Sequence, residues 1–271
     1  DTKRSTVKFK YNDIASLEKV FKEHSGKIAC VMLEPATSVP PKDNFLHKVK
    51  DLCVKNNAVF ILDEMITGFR FHLNGAQSLF DIQPDLATFG KGMANGFSVA
   101  ALVGKREIMG LGGIKNDGEE RVFLVSTTHG AEMCGLGAFL AAIAEYKKHD
   151  VVEHLWSYGE KLINGLNAAA KEAGVGDYFR AEGFPCSPNY ITFGKDNKAS
   201  LPLRTLFSQE MLNGGVLMPW IALSYAHGDT ELDMTLTAAR AAFKIYALAL
   251  EDGVAKHLVG RAIRPVFRKH N

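Results

Sequence analysis

Ile14, Leu17, Val20 and Phe21 recur at helical steps behind Asn12-Asp13, residue types that favour a helix start. Gly26-Lys27 ends that stripe. Ile28 to Leu33 is then an unbroken apolar run, which predicts a strand covered on both faces. Glu34-Pro35 stops it, because proline cannot donate to a ladder. Pro40-Pro41 and Asp43 introduce a second helical stripe, Phe45, Leu46, Val49, Leu52 and Cys53, which Asn56-Asn57 closes. Ala58 to Leu62 is a second buried run, with Asp63 at its carboxyl end. Strand, helix and strand in this order form a parallel βαβ unit. Ligands of open α/β sheets bind beyond the carboxyl ends of the strands, so Glu34 and Asp63 fall on the functional edge.

Leu86 to Phe89 is another short strand, Gly90-Lys91-Gly92 turns the chain, and Val99 to Val103 resumes it. Residues 110–120 are glycine-rich and charged, as surface loops are. Val122 to Val125 is a further strand candidate, leading into Ser126-Thr127-Thr128-His129. An alanine-rich helix spans Gly135 to about Tyr146. A second carries Val152, Leu155, Trp156, Gly159, Leu162, Ile163 and Leu166 on one face. Beyond it, residues 189–193, 215–218 and 221–225 are expected as short strands. Thr230-Glu231-Leu232-Asp233 is expected as a capping box opening a helix through Leu250. The expected fold class is α/β: a mostly parallel sheet flanked by helices over residues 1–160, with a smaller C-terminal α+β domain over 161–271.

Composition narrows the function classes. With 271 residues, 46% of them hydrophobic and 23% charged, the chain reads as a soluble globular protein. Lys plus Arg total 32 against 30 acids, so no nucleic-acid partner is indicated. The basic run from Arg261 to His270 reads as a solvated terminus. Cys30, Cys53, Cys134 and Cys186 stand singly among apolar or small residues, which suggests buried free thiols in a reducing compartment and no metal site. No apolar run is long enough to span a membrane, and a cytoplasmic location is expected.

Asp63 and Lys91 are the candidate chemistry. A carboxylate against a pyridine nitrogen favours the protonated ring, which makes pyridoxal phosphate an electron sink. A lysine amine can form a Schiff base with that cofactor's aldehyde and, once freed, move a proton. By spacing alone, Asp63 is equally a strand-end acid and Lys91 a solvated lysine. Gly90, Gly92 and Gly96 only weakly resemble a dinucleotide loop, since residues 97–103 read as a strand rather than the helix such a loop opens. Thr127 and Thr128 read as turn residues, and His129 as structural.

The ordered motifs settle the choice by likeness. Leu33-Glu34-Pro35, Ile61-Leu62-Asp63-Glu64-Met65-Ile66-Thr67-Gly68-Phe69-Arg70, Pro84-Asp85-Leu86 and Phe89-Gly90-Lys91-Gly92 resemble the successive signatures of class III aminotransferases, fold-type I pyridoxal-phosphate enzymes. Gly75-Ala76-Gln77, Gly104 to Met109 and Ala226-His227 are similar to the glutamate-1-semialdehyde 2,1-aminomutase branch of that class. The resemblance implies Lys91 as the Schiff-base lysine, Asp63 as the partner of the pyridine nitrogen and Met65 as an apolar contact on one ring face. It implies that Thr128 reaches the cofactor phosphate of a neighbouring subunit, hence a homodimer with sites at its interface. Ile66 stands where many relatives have Gln, and cannot hydrogen-bond the cofactor's phenolic oxygen.

The family's phosphate loop, its stacking aromatic residue and usually its substrate-carboxylate group precede the point where this chain starts, so the chain is expected to be a fragment. The implied reaction passes an amino group from a donor to a carbonyl acceptor. Alternatives are an intramolecular amino transfer, as in the aminomutases, and a non-catalytic chain that keeps the fold. A nicotinamide-dependent oxidoreductase is a rival that would not need Lys91.

Overall fold

A computed structural model describes residues 3–113 and 130–264. The chain divides into two compact units, Asp1–Val152 and Glu153–Asn271. In the first, the elements follow the hydrophobic pattern closely. Helix α1 (Ile14–Glu23) starts where Asp13 accepts the Ser16 N–H at 3.1 Å, satisfying one of the orphan donors of the first turn. It leads to strand β1 (Cys30–Leu33). Helix α2 (Phe45–Lys55) starts at Asn44, which is left-handed (φ 57°) and makes no side-chain cap. Asn57, also left-handed (φ 53°), follows its end. Strand β2 (Val59–Asp63), a one-turn helix α3 (Ala76–Leu79) and strand β3 (Leu86–Phe89) come next. A 3-10 turn at Lys91–Met93, strand β4 (Ala101–Gly104) and a one-turn helix α4 (Arg106–Met109) follow. Helix α5 (Met133–Lys148) closes the unit. The strand candidate at residues 122–125 lies outside the described residues.

The sheet order is β1-β2-β3-β4, parallel through β3, with β4 antiparallel at the far edge. Val31, Phe60 and Leu62 pack with Leu17, Phe21, Phe45, Leu46, Val49 and Cys53 into the main core of this unit. Each such side chain contributes about 1.5–3 kcal/mol on burial.

The expected double cover is not found. Side chains alternate between faces, and both α1 and α2 pack on the Val31 and Leu62 side. The opposite row, Cys30, Met32, Ile61, Leu86, Thr88 and Leu102, is partly or fully exposed, with Met32 at 50%. No described element lies over Met32. Cys30 is exposed on this row and Cys134 on α5, and only Cys53 and Cys186 are buried as expected.

In the second unit, α6 (Val151–Glu172) precedes the antiparallel pair β5 (Phe179–Phe184) and β6 (Ser187–Thr192), followed by α7 (Leu201–Asn213) and α8 (Asp229–Asp252). Phe179, Tyr190, Phe207, Phe243 and Tyr246 form a contiguous aromatic core, with neighbouring ring centroids such as Phe179–Phe243 at 4.7 Å. Asn167 of α6 docks on β5 as a strand would, donating to Ala181 O at 2.9 Å and accepting from Ala181 N at 2.8 Å. Residues 215–218 and 221–225 are not strands. Side chains instead take the carbonyls at the end of the first segment: Tyr190 Oη shares its proton between Met218 O and Pro219 O, each at 3.2 Å, and Arg204 donates to Pro219 O at 3.1 Å. Helix α8 starts earlier than the expected capping box. Its N-cap is Gly228, whose N–H donates to Glu231 at 2.8 Å; glycine has no side chain to return the bond, so half the box is present.

Candidate active site

Glu34, Asp63 and Thr88 end the open row at the carboxyl edge of three parallel strands. The register pairs Leu33 with Leu62 and Asp63 with Thr88, so Glu34 stands one step on, beside Asp63. Asp63 is half-buried. Its Oδ1 accepts from Met65 N at 3.0 Å and from Thr88 Oγ1 at 3.2 Å. Among the described residues its Oδ2 has no hydrogen-bond partner. The carboxylate is thus fixed by one oxygen and open at the other.

Lys91 opens the turn after β3 and adopts a left-handed conformation (φ 42°). A non-glycine residue there carries about 1 kcal/mol or more of strain, a state that clusters at functional sites. Its side chain is exposed and, among the described residues, makes no hydrogen bond or ion pair. Met65 lies against Gly90: a Cβ added to Gly90 would overlap the Met65 Cε and stand 2.9 Å from its Sδ. Met65, Asp63 and Lys91 are therefore gathered by one short connection on either side of β3. Ile66 is 43% exposed beside them. Thr128 and His129 lie outside the described residues.

The electrostatics join Glu34 to this group. Burial pushes the Glu34 pKa above its ordinary 4.5, the Asp63 carboxylate pushes it the same way, and Lys91 pulls it back. The Tyr11 phenol, pushed up to about 12 by burial and then by Glu34, donates to Pro35 O at 2.8 Å.

Glu64 has a part that the sequence did not reveal. It is wholly buried, and its carboxylate accepts from Thr67 Oγ1, from Ala76 N at 2.8 Å and from Gln77 N at 2.8 Å. It caps α3 and closes residues 65–75 into a compact loop. Gly75 (φ 87°) is required there, since a Cβ would stand 2.7 Å from Glu64 Oε1. The available signal was alternation: of two adjacent acids at a strand end, one must face inward. Asp85 has a structural part as well. It holds Phe60 N at 2.7 Å and Lys105 Nζ at 2.7 Å, tying the start of β3 to the end of β4.

The class-III aminotransferase family model matches residues 3–219. Over 260 residues the chain is 30% identical to the glutamate-1-semialdehyde 2,1-aminomutase of Francisella tularensis, covering 90% of this chain and 59% of that protein. Among solved structures, the FumI protein of a Sphingopyxis species in its PLP internal aldimine form superposes with a TM-score of 0.80 at 24% identity, covering 91% of this chain and 58% of that one. A β-phenylalanine aminotransferase from Variovorax paradoxus gives 0.70 at 25% identity, covering 85% of this chain and 55% of that one. The fold is thus that of the PLP transaminases, and the chain spans less than two thirds of the length of the relatives it matches.

Proposed function

Because the chain belongs to the class-III aminotransferase family, we propose that its Asp63–Lys91 edge binds pyridoxal 5'-phosphate and serves the transfer of an amino group from an amino donor to a carbonyl acceptor. The observation that carries this is the pairing of a half-satisfied acid with an unpaired, strained lysine on one strand edge. Those residues fit the cofactor chemically, with Asp63 Oδ2 for the ring nitrogen and the Lys91 amine for the aldehyde. When bound, the cofactor supplies the electron sink and the aldehyde that accepts the amino group. Asp63 would favour a proton on the ring nitrogen, because an ionised carboxylate stabilises the charged ring. Met65, braced on Gly90, offers an apolar surface to one ring face. With the cofactor and substrate bound, the free Lys91 amine would be the group able to take a proton from the substrate carbon and return it.

In this reading Thr128 contacts the phosphate of a neighbouring subunit, and the protein works as a homodimer. Support comes from α5, where Met133 (81%), Leu136 and Leu140 (71%) are exposed on a helix that buries only Gly135. The first unit with the helix start beyond it, residues 1–160, would be the cofactor domain and residues 161–271 the small domain. Small-molecule substrates and a cytoplasmic site of action belong to the same proposal. No described helix is long and apolar enough to cross a membrane. A second reading, transfer between neighbouring carbons of one molecule, is favoured by the name of the 30% identical relative. Both share Asp63 and Lys91.

Addition of pyridoxal phosphate should give a visible absorption band that Lys91→Ala abolishes. A band of equal strength in that variant, or none in the wild type, contradicts the proposal.

A further inference from the structure

We propose that Glu34 is a third charged member of the Asp63–Lys91 cradle, a positioning residue that acts on the cofactor through Asp63; this rests on the function proposed above. The geometry is that of the sheet. Glu34 continues the open row of β1 one step beyond Leu33, so its side chain stands beside that of Asp63 at the same edge. Its backbone is held in place next door, where Pro35 O accepts from Tyr11 Oη at 2.8 Å, while the Tyr11 ring packs edge-on against Phe45 with centroids 5.1 Å apart. Among the described residues, three titratable groups couple to its charge: Tyr11 from the segment before α1, Asp63 from β2 and Lys91 from the turn after β3.

Two neighbouring carboxylates at a half-buried edge repel each other, and the fold gains nothing from that arrangement by itself. Burial and Asp63 both raise the Glu34 pKa. Folding therefore strengthens proton binding at Glu34. Its contribution to stability is favourable below the unfolded value and is lost as pH rises through the raised folded value. Ionised Glu34 is a cost to the fold that becomes useful once a cation sits on Asp63. The combined negative charge then favours every protonated form of a ring gripped between Asp63 and Lys91.

Cofactor-free protein tests the coupling. Carbon-13 NMR of the Glu34 carboxyl should show its titration moving down in Asp63→Asn and up in Lys91→Ala. An unchanged titration in both variants overturns the proposal. Glu34→Gln should melt no lower than the wild type at pH 8, whereas a purely structural role predicts a loss. With pyridoxal phosphate added, the pH midpoint of the visible band should fall by about one unit in Glu34→Gln and stay near the wild-type value in Glu34→Asp. A band midpoint unmoved in Glu34→Gln overturns the action on the cofactor. Absence of any band in the wild type refutes the proposed function instead, and the NMR titration then decides the coupling alone.

Discussion

Replacing Glu64 should loosen the candidate site without touching its reacting groups. The carboxylate is fully buried and takes three donors: Oε2 accepts from Thr67 Oγ1 and Ala76 N, and Oε1 accepts from Gln77 N. In Glu64→Gln the amide oxygen can keep the two bonds at the Oε2 position. The amide NH2 must then face the Gln77 N–H, so one bond is lost and two donors confront each other. A buried donor left unpaired costs about 1–3 kcal/mol, so about 2 kcal/mol is expected. Glu64→Ala strands both backbone donors and should cost about 3–5 kcal/mol. Thr67→Val removes a single hydroxyl and should cost about 1 kcal/mol. For a unit of this size about 2 kcal/mol lowers the melting temperature by roughly 4–8 °C. Differential scanning calorimetry on the three variants should therefore rank them Thr67→Val, Glu64→Gln, Glu64→Ala in increasing loss. Glu64→Gln melting within a degree of the wild type would refute the argument that this carboxylate closes the loop.

Two further outcomes test other parts of the fold. Gly159→Ala gains about 1 kcal/mol of helix propensity, but its Cβ would overlap Pro185 O and stand 2.6 Å from Pro185 C. Overpacking against backbone outweighs the gain, and a net loss of about 2 kcal/mol should appear in urea unfolding; a stabilised variant contradicts the packing of α6. Burial works to raise the Asp85 pKa, but the Lys105 hydrogen bond, the Phe60 N–H and the Lys105 charge outweigh it and hold the carboxyl below its ordinary 3.8. That ionised pair is stabilising above this value and its contribution is lost as pH falls through the depressed one. Lys105→Met should thus melt below the wild type at neutral pH, and the gap should close on acidification below about pH 4; a gap constant with pH contradicts the pairing.

The parts of the chain that were legible were those where local pattern and global packing agree. Leu17 and Phe21, Val49 and Cys53, and Phe60 and Leu62 reach the core as their periodicity requires. Asp63 and Lys91 reach one edge because parallel strands deliver their carboxyl ends together. What was not legible depended on partners distant in sequence. An apolar run such as residues 28–33 does not show whether anything covers its second face. Residues 215–218 have the composition of a strand, yet Tyr190 and Arg204 claim the carbonyls of Met218 and Pro219. Strand β5 carries its signal in alternation, with Phe179 and Ala181 buried and Arg180 exposed between them, rather than in an apolar run. The structural part of Glu64 rests on three donors, two of them twelve or more residues on, which no local pattern marks.

The central claim is that Lys91 is the residue this fold reserves for the cofactor aldehyde. Protein treated with pyridoxal phosphate, reduced with borohydride and digested for peptide mass mapping puts that claim to a direct test. The account predicts one dominant phosphopyridoxyl adduct on the peptide carrying Lys91, strongly reduced in Asp63→Asn. Label spread evenly over the surface lysines, with Lys91 unmodified, would contradict it.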